Sequence, residues 1–168
     1  MKRINISYHK SEIGEFIIGT YDEQLCIMDF RYRKTRAKLN EKIKKSLEAE
    51  FIECEDELIQ KAKKQLDEYL LGKRKEFSLP LLLVGSEFQK QVWNALLDVH
   101  YGQTASYKEL AKNIEKPEAV RAVANANGAN SLAIIVPCHR IIASDGELGG
   151  YSGGVSVKKK LLKLELGG

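Results

Sequence analysis

The sequence has little that would tie it to a membrane, a metal or an oxidising compartment. No stretch approaches the roughly 18 uninterrupted apolar residues that a membrane span needs. The opening "MKRINISYHK" also has no apolar core of signal-peptide length, so a cytoplasmic protein with no membrane contact is the expectation. Cysteine is scarce: Cys26, Cys54 and Cys138 form an odd, widely spaced set, which is no disulfide framework, though a pairing of Cys26 with Cys54 stays open. His9, His100 and His139 lie at none of the spacings that would ligate zinc with those cysteines, and neither a metal nor a cofactor is expected. Repeats and low-complexity tracts are missing as well, which excludes solenoids and disordered tails. Nor does one sign of charge dominate. The 27 Lys and Arg against 23 Asp and Glu leave +4, which permits phosphate contact without demanding it.

What is present is a chain of 168 residues, 43% hydrophobic, enough for one compact domain or two small ones. Residues 3–8, 12–20 and 24–32 are short, rich in Ile, Phe and Tyr, and separated by turn residues, as in an antiparallel meander. "LNEKIKKSLEAEF" and "DELIQKAKKQLDEYLLG" follow. In the second, Leu58, Ile59, Ala62, Leu66, Tyr69 and Leu70 share one helical face, with Asp56 as N-cap and Gly72 past the end. "GKRKEFSLPLLLVG" has no helical period and reads as a linker, dividing the chain into residues 1–80 and 81–168. The basic run "RYRKTRAKLNEKIKK" would add DNA attraction or, more commonly for such runs, form a solvated face.

Beyond the linker the pattern turns helical. "SEFQKQVWNALLDV" opens on a Ser-x-x-Gln capping box and spaces Phe88, Val92, Leu96 and Val99 along one face, and "SYKELAKNI" repeats the device with Ser106 and Glu109. Pro117 is placed as the first residue of a further helix, "PEAVRAVANANGA". Two short helices joined by a tight turn suggest helix-turn-helix. In the second, Val120, Val123 and Ala124 point one way and Ala122, Asn125, Ala126 and Ala129 the other, with Arg121 at the edge. A face trimmed to Ala and Asn suits close approach to another surface; a helix packed on both sides is the alternative.

Cys138 lies in "IIVPCHRII". A free cysteine is most often an inert buried hydrophobe, but His139 next to it supplies a base. "NSLAIIVP" reads as a buried strand that presents the thiol from a rigid support. Adjacent side chains of a strand point to opposite sides, so a thiol–imidazole relay would require a turn at Cys138 or a bridging water.

"FQKQVW", "YGQTASYKELA", "RAVANANGAN", "VPCHRII" and "GGYSGG", in this order and spacing between about Phe88 and Glu165, closely resemble the alkylguanine-DNA alkyltransferases, or methylated-DNA-protein-cysteine methyltransferases. The resemblance implies an α+β fold: a small N-terminal antiparallel sheet with helices, ribonuclease-H-like, over 1–80, and a mainly helical, winged-helix-like domain over 81–168 that binds DNA and accepts the alkyl group. It implies a single-turnover repair protein, active as a monomer, that takes an alkyl group from oxygen-6 of guanine in double-stranded DNA, or oxygen-4 of thymine.

By the same resemblance Cys138 is the acceptor, His139 the base acting through a water, and Glu165 the carboxylate that orients it. Tyr107 donates a proton to guanine nitrogen 3, and Asn130 supports the active-site loop. Arg121 fills the space left by a flipped nucleotide while Ala122, Asn125 and Ala126 lie in the minor groove, with Tyr107 also touching DNA. Val136, Pro137, Tyr151, Ser152 and Gly153 line the base pocket, whose loop Gly149, Gly150 and Gly154 let come close. Two departures stand out: His100 precedes "YG" where many relatives have proline, a surface change, and no zinc ligands occur in the first 80 residues. Two other readings remain. One is a sensor that binds alkylated DNA without repairing it, opposed by Cys138, and the other a cysteine hydrolase, opposed by the absence of any protease signature.

Overall fold

A computed structural model describes residues 2–167. The chain divides into two compact units, Met1–Gly85 and Ser86–Gly168.

The first unit is a four-stranded sheet with two helices. β1 (Arg3–Ser11), β2 (Gly14–Tyr21) and β3 (Gln24–Phe30) form the antiparallel meander read from the apolar runs. After α1 (Arg36–Leu47), β4 (Glu50–Glu53) pairs parallel with β1, giving the order β3-β2-β1-β4. Glu48 takes a left-handed conformation that ends α1, and Phe51 and Ile52 then join the open edge of β1. α2 (Glu57–Leu70) begins where Asp56 accepts a hydrogen bond from the Ile59 amide. It packs on the sheet, burying Ile59, Ala62, Leu66 and Tyr69, while Leu58 and Leu70 are half-buried. Ile43 of α1 joins Ile4, Ile6, Ile17 and Ile27 in a second apolar cluster. With both faces covered, β2 and β3 read as near-continuous apolar runs.

The segment 72–85 carries no helix or strand, but it is held. Leu25 N–H donates to Pro80 O at 2.7 Å, Leu82 N–H donates to Leu25 O at 2.9 Å, and Leu82 and Val84 pack on the Ile4–Ile27 cluster.

The second unit is mainly helical. α3 (Glu87–Leu96) and α4 (Tyr107–Asn113) both start with complete capping boxes, Ser86 with Gln89 and Ser106 with Glu109. α5 (Val120–Gly128) follows as the second helix of the pair. Pro117 is not its first residue. It sits in a turn closed by Ala119 N–H to Lys116 O at 2.9 Å, where its fixed φ suits the first corner position, and the helix starts only at Val120. Trp93 of α3 donates its indole N–H to Ala126 O at 2.8 Å, which ties α5 down. β5 (Ala105–Ser106) and β6 (Ile141–Ile142) make a short parallel pair, and α6 (Val155–Glu165) closes the unit. Among the described residues no helix is long and apolar enough to cross a membrane.

Candidate active site

The segment leading to Cys138 is buried, as the apolar run requires, but it is not the strand expected for 130–137. Backbone bonds close locally, Ile135 N–H to Ala133 O at 2.8 Å and Val136 N–H to Leu132 O at 2.9 Å, so the chain folds on itself. Asn130 is the cause. Its Oδ1 accepts from Leu132 N–H at 2.9 Å, and its Nδ2 donates to Val136 O at 2.8 Å, with Leu132 O at 3.3 Å and Cys138 Sγ at 3.4 Å also in reach. Both ends of one amide thus staple the turn. Ile134 inside it has φ +72°, a strained value for a β-branched residue.

Pro137 then leads into a single 3-10 turn, Cys138–Arg140. This supplies the turn that a thiol–imidazole relay needs, because successive side chains in such a turn lie about 120° apart rather than on opposite faces. Cys138 is buried, 5% exposed, and is in no disulfide.

His139 is fully buried and its Nε2 meets Glu165 Oε2 at 2.7 Å. Arg140 forks onto the same carboxylate, Nε to Oε1 at 2.8 Å and Nη2 to Oε2 at 2.9 Å, and its Nη1 donates to Val99 O at 2.7 Å. Since a carboxylate held by a guanidinium only accepts, Nε2 carries the imidazole proton and Nδ1 presents its lone pair. That Nδ1 is buried and has no hydrogen-bond partner in the protein. Burial pushes the His139 pKa below its usual value, outweighing Glu165, with Arg140 and Lys158 acting in the same direction as burial. The result is a neutral base with a fixed tautomer.

Tyr107, at the start of α4, is half-buried, and its pKa is raised by burial and by negative charge at Cys138. Gly149 lies against it: a Cβ there would stand 3.6 Å from the phenol oxygen, and the backbone has φ +71°, which favours glycine. Tyr151 meets His139 edge-on at 6.4 Å between ring centroids, and the buried Ser152 hydroxyl has no hydrogen-bond partner in the protein. Val136 is fully buried and Gly153 half-buried.

On α5, Arg121, Ala122 and Asn125 are exposed and Gly128 extends the same face. Ala126, expected on that face, is instead 2% exposed, drawn inward by the bond from Trp93 to its carbonyl. Val123 and Asn127 share the buried side.

Sequence reasoning gave no role to Arg140 or Lys158. Lys158, fully buried on α6, donates to Ile141 O at 2.5 Å, to Leu148 O, and to Gly150 O at 3.3 Å, strapping the 148–150 loop to β6. Burial lowers its pKa, and negative charge at Cys138 acts against that. Its spacing held a signal, since Lys158 shares a helical face with Leu161, Leu162 and Glu165.

Comparison with known proteins gives a consistent picture. Residues 4–83 match the family described as 6-O-methylguanine DNA methyltransferase, ribonuclease-like domain, and residues 87–167 the family described as 6-O-methylguanine DNA methyltransferase, DNA binding domain. A methylated-DNA--protein-cysteine methyltransferase of Methanosarcina barkeri is 42% identical over 156 residues, 93% of each chain. The inducible enzyme of that name from Bacillus subtilis is 52% identical over 101 residues, 60% of this chain and 56% of its own. Among solved structures, the O6-methylguanine methyltransferase of Mycobacterium tuberculosis superposes with TM-score 0.82 at 35% identity over 98% of this chain and 93% of that one. A Mycobacterium tuberculosis relative in complex with DNA gives 0.82 at 36% identity, covering 97% and 93%.

Proposed function

The chain belongs to the 6-O-methylguanine DNA methyltransferase family, and from that premise we propose that it repairs alkylated DNA by moving the alkyl group from guanine oxygen-6 onto Cys138, once per molecule. The observation that carries this reading is the buried thiol in a 3-10 turn beside a neutral imidazole whose Nε2 is anchored on Glu165 and whose Nδ1 is open. A thiol has an ordinary pKa of about 8.5 and burial raises it, so a relay to the imidazole is needed to supply the thiolate.

His139 takes the thiol proton through a bridging water while Glu165 holds the ring and its charge. Sulfur forms its bond to the alkyl carbon as the carbon–oxygen bond to guanine breaks, leaving a thioether. The departing base carries negative charge, and a proton from Tyr107 to nitrogen 3 neutralises it. Arg140 fixes the carboxylate, and Lys158 holds the loop that carries Tyr151, Ser152 and Gly153 over the base.

The target atom lies inside a duplex, so the nucleotide is turned out of the stack, at roughly a few kcal/mol. Arg121 occupies the space it leaves, and Ala122, Asn125 and Gly128 lie in the minor groove, where bulk is excluded and sequence is barely read. That suits repair at any guanine. The protein acts as a cytoplasmic monomer, with residues 81–168 as the DNA-binding, alkyl-accepting domain and 1–80 as its ribonuclease-H-like companion.

The test separates extrusion from chemistry by measuring Cys138 alkylation on duplex, on single strand and on free benzylated guanine. Arg121→Ala should slow the duplex most, the single strand less and the free base little. Tyr107→Phe should slow all three. Equal slowing of all three by Arg121→Ala would remove the finger role.

A further inference from the structure

The positive charge of this chain is gathered in one segment of the first unit. Residues 31–45 hold eight of the 27 basic residues and one of the 23 acidic ones, a surplus of seven in a chain whose whole surplus is four, so the remaining 153 residues are net acidic by three. Half of those eight have partners within the unit. Arg33 and Arg36 close on Asp29, Arg31 meets Glu15 Oε2 at 3.0 Å and stacks on the Tyr8 ring, and Lys44 lies 3.4 Å from Glu41 and over the Phe51 ring. Lys34, Lys38, Lys42 and Lys45 are the other half, all exposed and in no ion pair among the described residues. Their spacing sets Lys38, Lys42 and Lys45 within about 60° of one another around α1, away from the buried Leu39 and Ile43, and Lys34 stands just ahead of the helix.

Helix stability does not place these lysines. Lys34 and Lys38 stand at the N-terminal end of α1, where the helix dipole opposes cations and the first turn holds no acidic residue to offset them. Lysines four residues apart also repel each other. Only Lys45, in the last turn, suits the dipole. α2 of the same unit shows an ordinary solvated face: Asp56 and Glu57 occupy its N-terminal end, and Glu57 with Lys61, Lys63 with Asp67 and Lys64 with Glu68 set opposite signs four apart. We propose that the stripe of Lys34, Lys38, Lys42 and Lys45 is a docking surface for the phosphate backbone of duplex DNA, through which the first unit makes DNA contacts of its own. Residues 87–167 match a DNA binding domain, so a duplex is the polyanion this chain meets. The inference rests on that DNA-binding reading and not on the chemistry of Cys138. Lysine meets a phosphate as a compact point charge and reads no base. A membrane fits less well, because the apolar side of α1 is buried within the unit and leaves no apolar face to enter a bilayer.

The test is the salt dependence of binding between the full chain and a duplex carrying no lesion. Each lysine that meets a phosphate releases a counterion and steepens the fall of log affinity with log salt by about 0.9. Changing Lys34, Lys38, Lys42 and Lys45 together to Gln should therefore weaken binding at least about tenfold at low salt and make the slope shallower by at least about 2. The same four positions changed to Arg should keep both affinity and slope. A control, Lys10, Lys61, Lys64 and Lys73 changed together to Gln, removes the same charge from other exposed positions of the unit and should alter the slope by less than about 1. Should the fourfold stripe variant fail to fold, Lys34 with Lys38 and Lys42 with Lys45 are changed as separate pairs, each expected to carry about half the change in slope. An unchanged slope in the stripe variants, or an equal change in the control, makes the stripe a solvated face and overturns the proposal. Loss of binding to an RNA hairpin or to phosphatidylserine vesicles, with duplex affinity unchanged, assigns the stripe to another polyanion and overturns it too. A native chain that binds no duplex at all overturns the DNA-binding reading and the proposal with it.

Discussion

Each unit buries one carboxylate between two basic side chains, and the two clusters are built differently. In the first, Asp29 Oδ2 receives Arg33 Nη1 at 2.8 Å and Arg36 Nη1 at 2.6 Å. In the second, Glu165 receives Arg140 and His139. Arginine keeps its protons at any pH the protein meets, so the Asp29 cluster can only hold structure. Histidine has a second nitrogen and a titratable proton, and here that nitrogen has no hydrogen-bond partner in the protein. The wider pattern agrees. Ser106, Asn127, Asn130, His139, Arg140, Lys158 and Glu165 are all buried in the second unit, against Thr20, Asp29, Arg36 and Gln65 in the first. Buried polar groups cost stability unless paired, and in the proposed mechanism Asn130, His139, Arg140, Lys158 and Glu165 hold geometry for the chemistry of Cys138.

The sharpest way to break this contrast is to neutralise both carboxylates. Asp29→Asn and Glu165→Gln should each destabilise its own unit by about 3–5 kcal/mol, because each strands buried guanidinium charge. Only Glu165→Gln should also slow Cys138 alkylation per folded molecule, by about a hundredfold or more. Denaturation curves and single-turnover rates on the same samples check both. A comparable rate loss in Asp29→Asn would erase the distinction.

Next in size is Lys158. Lys158→Met keeps the bulk but removes the donor to three carbonyls, so the 144–150 loop should become readily cut by protease and alkyl transfer should fall about tenfold. Unchanged protection of that loop would show that the strap is idle.

A smaller effect follows from His139. Burial holds its folded pKa below the usual value of about 6.5, and the proposed mechanism needs the neutral ring. The rate should therefore hold as pH falls through about 6.5 and drop only further down. Stability runs with the same sign: between the folded and unfolded pKa values the unfolded chain binds more protons, so stability declines as pH falls through that window. His139→Gln should lose this acid-side slope, which titrations of Tm against pH would reveal.

The smallest effects belong to the first unit's cysteines. Burial pushes the Cys26 thiol up to about 12, whereas Cys54 is exposed and both are free. A thiol reagent at neutral pH should label Cys54 in the folded protein and Cys26 only on unfolding, and Cys54→Ser should change stability by less than about 0.5 kcal/mol.

Legibility in the sequence divided along physical lines. The meander, both capping boxes and the N-cap at Asp56 could be read because apolar period and local hydrogen bonding determine them. β4 could not, since Phe51 and Ile52 become a strand only through the open edge of β1. The apolar run 130–137 announced burial but not conformation, because one side chain, Asn130, bends it. Cys138 and His139 stood out as a thiol beside a base, while Glu165, Tyr107 and the role of each came from the motif resemblance. Arg140 was hidden for the opposite reason, since a charged residue reads as solvent-facing, and Lys158 was passed over although its place on the apolar face of α6 held a signal; only the folded chain shows the carboxylate and carbonyls that draw them inside.

The central claim is that Cys138 is consumed by accepting the alkyl group from guanine. Incubation with a duplex containing one O6-methylguanine, followed by intact mass and peptide mapping, tests it directly. One methyl group per chain, confined to the peptide bearing Cys138 and absent in Cys138→Ser, is the expected result. An unmodified chain over repaired DNA, a methyl group on Cys26 or Cys54, or repair exceeding one lesion per molecule would contradict it.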